Sequence, residues 1–416
     1  MRLVKLVAIN ALIFLVLAEA VALVVYYERT GRLFYTYRRP IPLIEETTQG
    51  TLTGDALHPY FGPIHRTGVR AETNNVGFGS PLAYPVARAH ERQLLLGIFG
   101  GSVARQFCDS GAPRLAAALG RSPAYAGRDI VTLCFAHEGY KQPQQALVLA
   151  YFLSIGQEID LAINIDGFNE VALGRYNADR GRDVSMPSPI HLDPLVNLID
   201  RSTMTPAMVQ SLAAIEGYKQ RLNALATRIA AARFAFPAFV REQYRAWMLA
   251  AYQAELARYA ALPPNPATAS LVQVTPPLRP QTPQGLYDDI AAQWAGASSV
   301  MHAMLAARSA AYVHALQPNQ YFTRRQFGVE EARVALNPAT PFKPPVEQGY
   351  PALQRAGAAL GGSERFADAT EIFDREPSAV YADDCCHYTQ RGNELLADFL
   401  AARVLETVPS PPTAVR

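Results

Sequence analysis

Four short blocks of the sequence carry the side chains most able to do chemistry. In the first, Phe99-Gly100-Gly101-Ser102-Val103-Ala104 follows an apolar run at 94–99 (LLLGIF). Two glycines permit a sharp turn, so Ser102 is expected at the carboxyl end of a strand and the start of a helix. Open α/β sheets bind ligands on that side. A serine hydroxyl needs an adjacent base before it is a useful nucleophile, and a helix N-terminus offers N–H groups to a developing oxyanion. Taken alone, Ser102 reads as an ordinary helix N-cap. The second block is His137-Glu138-Gly139-Tyr140, the third Asp166-Gly167-Phe168-Asn169-Glu170, and the fourth Asp383-Asp384-Cys385-Cys386-His387-Tyr388-Thr389. Asn169 alone also suits an αL turn after Gly167, and His387 alone suits a partly buried position without chemistry. No G-x-x-x-x-G-K-[ST], completed G-x-G-x-x-G or H-E-x-x-H occurs. Adjacent Cys385 and Cys386 make poor joint ligands. No metal and no cofactor is expected.

The elements that must position these blocks are legible as apolar runs. Residues 94–99, 130–135 (IVTLCF) and 161–165 (LAINI) predict buried strands, and Pro143 opens a helical stretch between the second and third. Residues 312–316 (YVHAL) predict a fourth strand. Thr389 predicts the N-cap of a last helix whose Leu395, Leu396, Phe399, Leu400 and Val404 make an apolar face. Strands alternating with helices indicate an α/β fold with a parallel sheet. A helix from Thr205-Pro206, a break at Pro237, a second helical stretch and a Pro-rich segment over 262–285 predict a helical insertion at about 200–290. Residues 41–93, rich in Pro, Gly and Thr, predict an irregular strap leading to a domain over 94–416.

In order, Gly-Gly-Ser102, Gly139, Gly167-x-Asn169 and Asp384-x-x-His387 resemble the blocks of the SGNH (GDSL-like) hydrolase superfamily. The last is close, through the run DCCHYTQRGN at 384–393. Leu316-Gln317-Pro318-Asn319-Gln320-Tyr321 is similar to the fourth-strand segment of exported or membrane-associated members. The likeness covers 94–190 and 300–405. It implies a three-layer α/β/α, flavodoxin-like fold and acyl transfer through a serine ester. Ser102 would be the nucleophile, His387 the base, and Asp384 the carboxylate that holds the imidazole, with the N–H groups of Ser102 and Gly139 and the Asn169 amide as oxyanion hole. Asp383 is the rival; the D-x-x-H spacing favours Asp384. Gly101 stands where the family has Asp, and Glu170 where it has Asp after the Asn; both departures leave the substrate class open. The implied activity is hydrolysis of an ester, an O-acyl or O-acetyl group on a carbohydrate or lipid. The alternatives are an O-acetyltransferase or a catalytically vestigial subunit of a membrane complex.

Composition sets the outer bounds. The chain has 416 residues, half of them apolar and 18% charged, which excludes a disordered or fibrous protein. A net charge of +2 gives no reason to expect nucleic acid. Residues 6–27 are apolar except for Asn10 and Glu19, a stretch of roughly 33 Å as a helix, enough to cross a bilayer core. Tyr26, Tyr27, Phe34, Tyr35 and Tyr37, interleaved with Arg29, Arg32, Arg38 and Arg39, form a collar suited to a headgroup boundary. Ala18-Glu19-Ala20 resembles a cleavage site, but the apolar run continues past it, so residues 1–40 read as an uncleaved single-pass anchor. A bare count of arginines favours a cytoplasmic domain, yet long domains translocate largely regardless of such charges. An extracytoplasmic, periplasmic domain is expected, with the bilayer, an ester substrate and a membrane-complex subunit touching the anchor as partners. Glu19 is open between a functional intramembrane carboxylate, a contact to another subunit and a tolerated acid. Cys108 and Cys134 flank the sheet and are open between a disulfide and buried thiols.

Overall fold

The structure, a computed structural model, describes the chain except residues 1, 38–40, 42, 44–53, 69–71, 201, 203, 264, 266–269, 280–281, 361–365 and 409–416. It divides into two compact units, Leu52–Val196 with Gln273–Arg416, and Met1–Thr51 with Asn197–Val272. The strands are β1 (Asp55–His58), β2 (Gly62–His65), β3 (Gln93–Gly100), β4 (Asp129–Ala136), β5 (Leu161–Asp166), β6 (Ala311–Leu316) and β7 (Phe366–Asp368). The first helices are α1 (Arg2–Thr30), α2 (Ser102–Ser110), α3 (Ala112–Gly120), α4 (Gln144–Ser154), α5 (Phe168–Ala178) and α6 (Pro189–Ile199). They are followed by α7 (Pro206–Ala230), α8 (Ala235–Ala261), α9 (Pro283–Ala306), α10 (Val329–Ala335), α11 (Lys343–Ala359) and α12 (Gln390–Thr407).

In the larger unit, five parallel strands are ordered β4-β3-β5-β6-β7. Counted from β3 this is the doubly wound order 2-1-3-4-5, whose switch point lies between β3 and β5. Leu94, Leu96 and Ile98 of β3 enter one buried cluster with Phe107, Leu115 and Leu400. Leu95 and Phe99 enter another with Phe135, Phe152 and Tyr312. The strand is thus covered on both faces by helices, which is why it reads as an unbroken apolar run rather than an alternating one. Gly100 pairs with Ala136 and Ile165, and Leu316 with Asp166 and Asp368, so the carboxyl ends of all five strands are level. A disulfide joins Cys108 of α2 to Cys134 of β4.

Two expectations need correction. The irregular strap over 41–93 belongs to the sheet unit from Leu52 on. There β1 and β2 pair antiparallel, and Phe61, Phe78 and Tyr84 are buried in the cluster with Phe99 and Phe135. Turn-rich composition hid a segment held by aromatic burial rather than by regular structure. The anchor and the insertion, expected as separate pieces, form the second unit together, and the insertion ends at Val272 rather than near 290. Residues 44–53 of the strap and Arg38 and Arg39 of the collar lie outside the described residues.

In the smaller unit, α1 is long and apolar enough to cross a membrane, with a mean hydropathy of 2.5 and only 6% of its most apolar window buried. Thr205 caps α7 through the N–H of Met208. Helix α8 has no cap of its own. Its first N–H groups, on Ala235 and Phe236, donate to the two carboxylate oxygens of Glu19 at 2.7 and 2.8 Å, and the Tyr35 hydroxyl donates to the same carboxylate at 2.6 Å. Pro237 is the third residue of α8, where a missing N–H costs no intrahelical bond. Glu19 therefore contacts its own chain.

Candidate active site

Ser102 opens α2 directly after β3, so its N–H and those that follow have no intrahelical acceptor and point outward from the sheet edge. The turn depends on two close approaches. Gly100 has a φ of +142°, and a Cβ there would lie 2.1 Å from the Ile165 carbonyl oxygen. A Cβ on Gly101 would lie 2.2 Å from Nδ2 of Asn169. The Asn169 amide thus packs on the backbone beside Ser102, and a side chain at 101 would displace it.

The hydroxyl of Ser102 is 2.8 Å from Nε2 of His387, and Nδ1 of His387 is 2.5 Å from Oδ2 of Asp383. The expectation that Asp384 meets the imidazole is overturned. Oδ1 of Asp383 accepts the N–H groups of Cys385, Cys386 and His387 at 2.9, 3.0 and 3.2 Å. That turn brings the ring at i+4 over Oδ2. Asp384 instead accepts from Nδ2 of Asn337 at 2.7 Å. Burial works against the Asp383 charge, but the His387 hydrogen bond and charge and the backbone N–H groups outweigh it and hold the carboxyl below its ordinary range. Burial pushes the neighbouring Cys386 thiol well up, so it stays neutral and is no rival nucleophile.

The other loops are fixed around this series. Nδ2 of Asn169 donates one hydrogen to the Tyr140 carbonyl at 2.8 Å, which orients the amide. Glu170, the last residue of the third block, accepts from Gln142 N at 2.9 Å and Gly167 N at 2.8 Å, tying the loops of the second and third blocks together. Burial, with the Asp166 charge beside it, pushes the Glu170 carboxyl above its ordinary value. Asp166, fully buried, accepts from Trp294 Nε1 at 2.6 Å and lies 2.8 Å from His314 Nε2, anchoring the end of β5.

The loop after β6 holds the fourth block by its backbone. Asn319 donates to the Cys385 carbonyl, Gln320 to that of Asp383, and the Tyr321 hydroxyl to that of Asp384. The Tyr388 hydroxyl returns a bond to the Pro318 carbonyl at 2.6 Å. Behind it, the buried pair Arg325–Glu331 receives the Val380 and Tyr381 N–H groups. These supports were invisible in the sequence because they act through main-chain atoms.

The arrangement can transfer a proton from Ser102 to His387 and stabilise the resulting imidazolium. No protein-family model matches the chain, and no curated protein matches it. Among solved structures, the lipase Lip_vut3 from a goat rumen metagenome is similar at a TM-score of 0.34 and 9% identity, covering 74% of this chain and 97% of that one. A likeness of that degree bears on neither the fold nor the function of this chain.

Proposed function

We propose that the chain is a serine ester hydrolase of the SGNH type, anchored in a membrane by α1. The observation that carries the reading is the continuous series Ser102 Oγ, His387 Nε2, His387 Nδ1, Asp383 Oδ2 at the carboxyl edge of the parallel sheet beside its switch point. In this mechanism His387 takes the Ser102 proton as the oxygen attacks an acyl carbonyl. Asp383 accepts the Nδ1–H and so keeps the tautomer whose Nε2 faces the serine. The Ser102 and Gly139 N–H groups and the second hydrogen of the Asn169 amide receive the oxyanion. His387 then protonates the leaving alcohol, and water repeats the steps on the acyl-enzyme. An O-acyl group on a carbohydrate or lipid fits a site anchored at a bilayer. The Cys108–Cys134 disulfide supports an extracytoplasmic side, where such bonds persist.

A fluorophosphonate probe tests the reading. Labelling of the wild type and not of Ser102→Ala, with hydrolysis of a short-chain aryl ester lost in parallel, is the expected result. Product analysis with a sugar acceptor separates hydrolysis from acetyl transfer. An unlabelled, inactive wild type that purifies with a stoichiometric membrane partner would mean an accessory subunit instead. Retention in carbonate-washed membranes, and proteolysis only from the extracytoplasmic side, test the anchor and its orientation.

A further inference from the structure

Behind the loop that carries Gly139 lies a second group of titratable side chains, buried and unused by the ester chemistry. His137 is fully buried, and its Nδ1 is 3.0 Å from the Glu138 carbonyl oxygen. A carbonyl can only accept, so Nδ1 carries the proton and Nε2 presents a lone pair. Among the described residues that Nε2 has no hydrogen-bond partner; it lies 4.0 Å from Asp55 Oδ1 and 3.8 Å from Glu138 Oε2. The ring of His65 spans the same two carboxylates, with Nδ1 3.1 Å from Asp55 Oδ1 and Nε2 3.3 Å from Glu138 Oε2. Glu138 Oε2 is itself buried, and no hydrogen bond to it is found among the described residues. A third imidazole, His191, rests against Gly139 with its Nδ1 buried and without a hydrogen-bond partner among the described residues.

The inventory does not balance as protein alone. A neutral His65 has one N–H to offer two carboxylates, and His137 Nε2 lies within 4.0 Å of an oxygen of each. Protonating His65 would serve both carboxylates and still leave His137 Nε2 unpaired. A buried surplus of lone pairs around one point is costly unless a cation draws on it. Atoms that share a tetrahedral ion at ~2.0–2.1 Å lie roughly 3.3 Å apart. Candidate ligand atoms of Asp55, His65 and His137 already fall within 4.8 Å of one another; Glu138 lies outside that group of three, with its Oε2 3.3 Å from His65 Nε2 and 3.8 Å from His137 Nε2. The Nδ1–H to carbonyl bond of His137 is the support that metal-bound imidazoles use to fix their tautomer.

We propose that Asp55, His65, His137 and Glu138 form a structural site for a divalent transition metal, with zinc the best match to two imidazoles and two carboxylates. Asp55 and His65 are paired across β1 and β2, while His137 and Glu138 begin the loop after β4. The ion would clasp the hairpin to that loop and steady Gly139, one residue further on. The site requires nothing of Ser102, so it stands or falls apart from the ester reading.

The test uses the full chain in detergent. The protein is stripped with a chelator, titrated with Zn2+ against a competing dye, and separately loaded with Co2+ for its visible spectrum. The expected result is about one equivalent of tight Zn2+ per chain with a rise in Tm, and at least a tenfold loss of affinity in both Glu138→Gln and His137→Gln. The Glu138 side chain is 41% exposed, so Glu138→Gln should keep the fold where a buried change does not. The Co2+ spectrum should lack thiolate charge-transfer bands. Zn2+ bound no tighter by wild type than by folded Glu138→Gln would overturn the proposal. So would binding that disappears with Cys385→Ser and Cys386→Ser.

Discussion

Nδ1 of His387 meets a carboxylate, Asp383, at 2.5 Å, and its Nε2 meets the Ser102 hydroxyl at 2.8 Å. Nδ1 of His137 meets a backbone carbonyl at 3.0 Å, and its Nε2 has no hydrogen-bond partner among the described residues. Both rings sit in loops at one end of the same unit, and both have a fixed tautomer. The partner of Nδ1 separates their chemistry. A carboxylate stabilises the imidazolium, so His387 can take a proton and return it. A carbonyl fixes the tautomer without supplying charge, so His137 can offer only a lone pair.

The comparison breaks first at the serine. Ser102→Ala should reduce aryl-ester turnover by roughly 10⁴–10⁶-fold, as removal of a nucleophile does, with Tm nearly unchanged. Steady-state rates beside a thermal melt check both halves; an active variant would remove Ser102 and leave His387 as an ordinary histidine.

Next comes the carboxylate. Asp383→Asn should cost about 10⁴ in kcat, because the amide favours the wrong tautomer, while Asp384→Asn should cost less than about tenfold. Asp383→Asn combined with His387→Ala should be scarcely worse than His387→Ala alone, since the two act as a unit. Equal losses at Asp383 and Asp384 would contradict the geometry of the turn.

A third measurement sets the two histidines side by side. His387→Gln should abolish activity and spare Tm. His137→Gln should lower Tm by several degrees and remove its response to zinc, with turnover down about tenfold through a loosened Gly139 loop. A Tm change at His387 and none at His137 would reverse the assignment of roles.

The smallest effect concerns Glu170, a carboxylate set between those two regions. Its folded value is raised above the unfolded one near 4.5, so the folded state keeps a proton that the unfolded chain has lost. Stability should therefore fall as pH rises from about 4.5, by at most ~1.4 kcal/mol per pH unit, and Glu170→Gln should flatten that slope. Lys141, which burial pushes down to about 8, contributes a slope of the opposite sign above that pH, so the comparison belongs below it. Chemical denaturation of both proteins across this range decides it.

What was legible in the sequence follows from how local each signal is. The runs before Gly100, His137, Gly167 and Gln317 disclosed four strands because a doubly covered strand needs continuous apolar residues. The three-residue β7 carries no such signal. Ser102, His387 and Asn169 could be placed on one sheet edge because each follows a strand or precedes a helix. The D-x-x-H spacing chose Asp384 over Asp383 and misled, since what decides between them is which carboxylate captures three backbone N–H groups. The group around His137 was hidden for another reason: Asp55, His65, His137 and His191 share no motif, and the hairpin is brought to that loop by burial of Phe61 and Phe78 and by the Tyr140 hydroxyl on the Pro63 carbonyl.

The bond from Glu19 to the start of α8 also has a history in time. Its two ends are separated by 216 positions. At translation rates of about 5–20 residues per second, a ribosome needs roughly 10–40 s to make the donors after it has made the acceptor. A chain anchored as proposed therefore enters the bilayer with Tyr35 as the early partner of this carboxylate and gains the two backbone donors only when the tip of the helical pair arrives. Insertion and folding of the smaller unit are in that sense a single event spread across synthesis of half the protein.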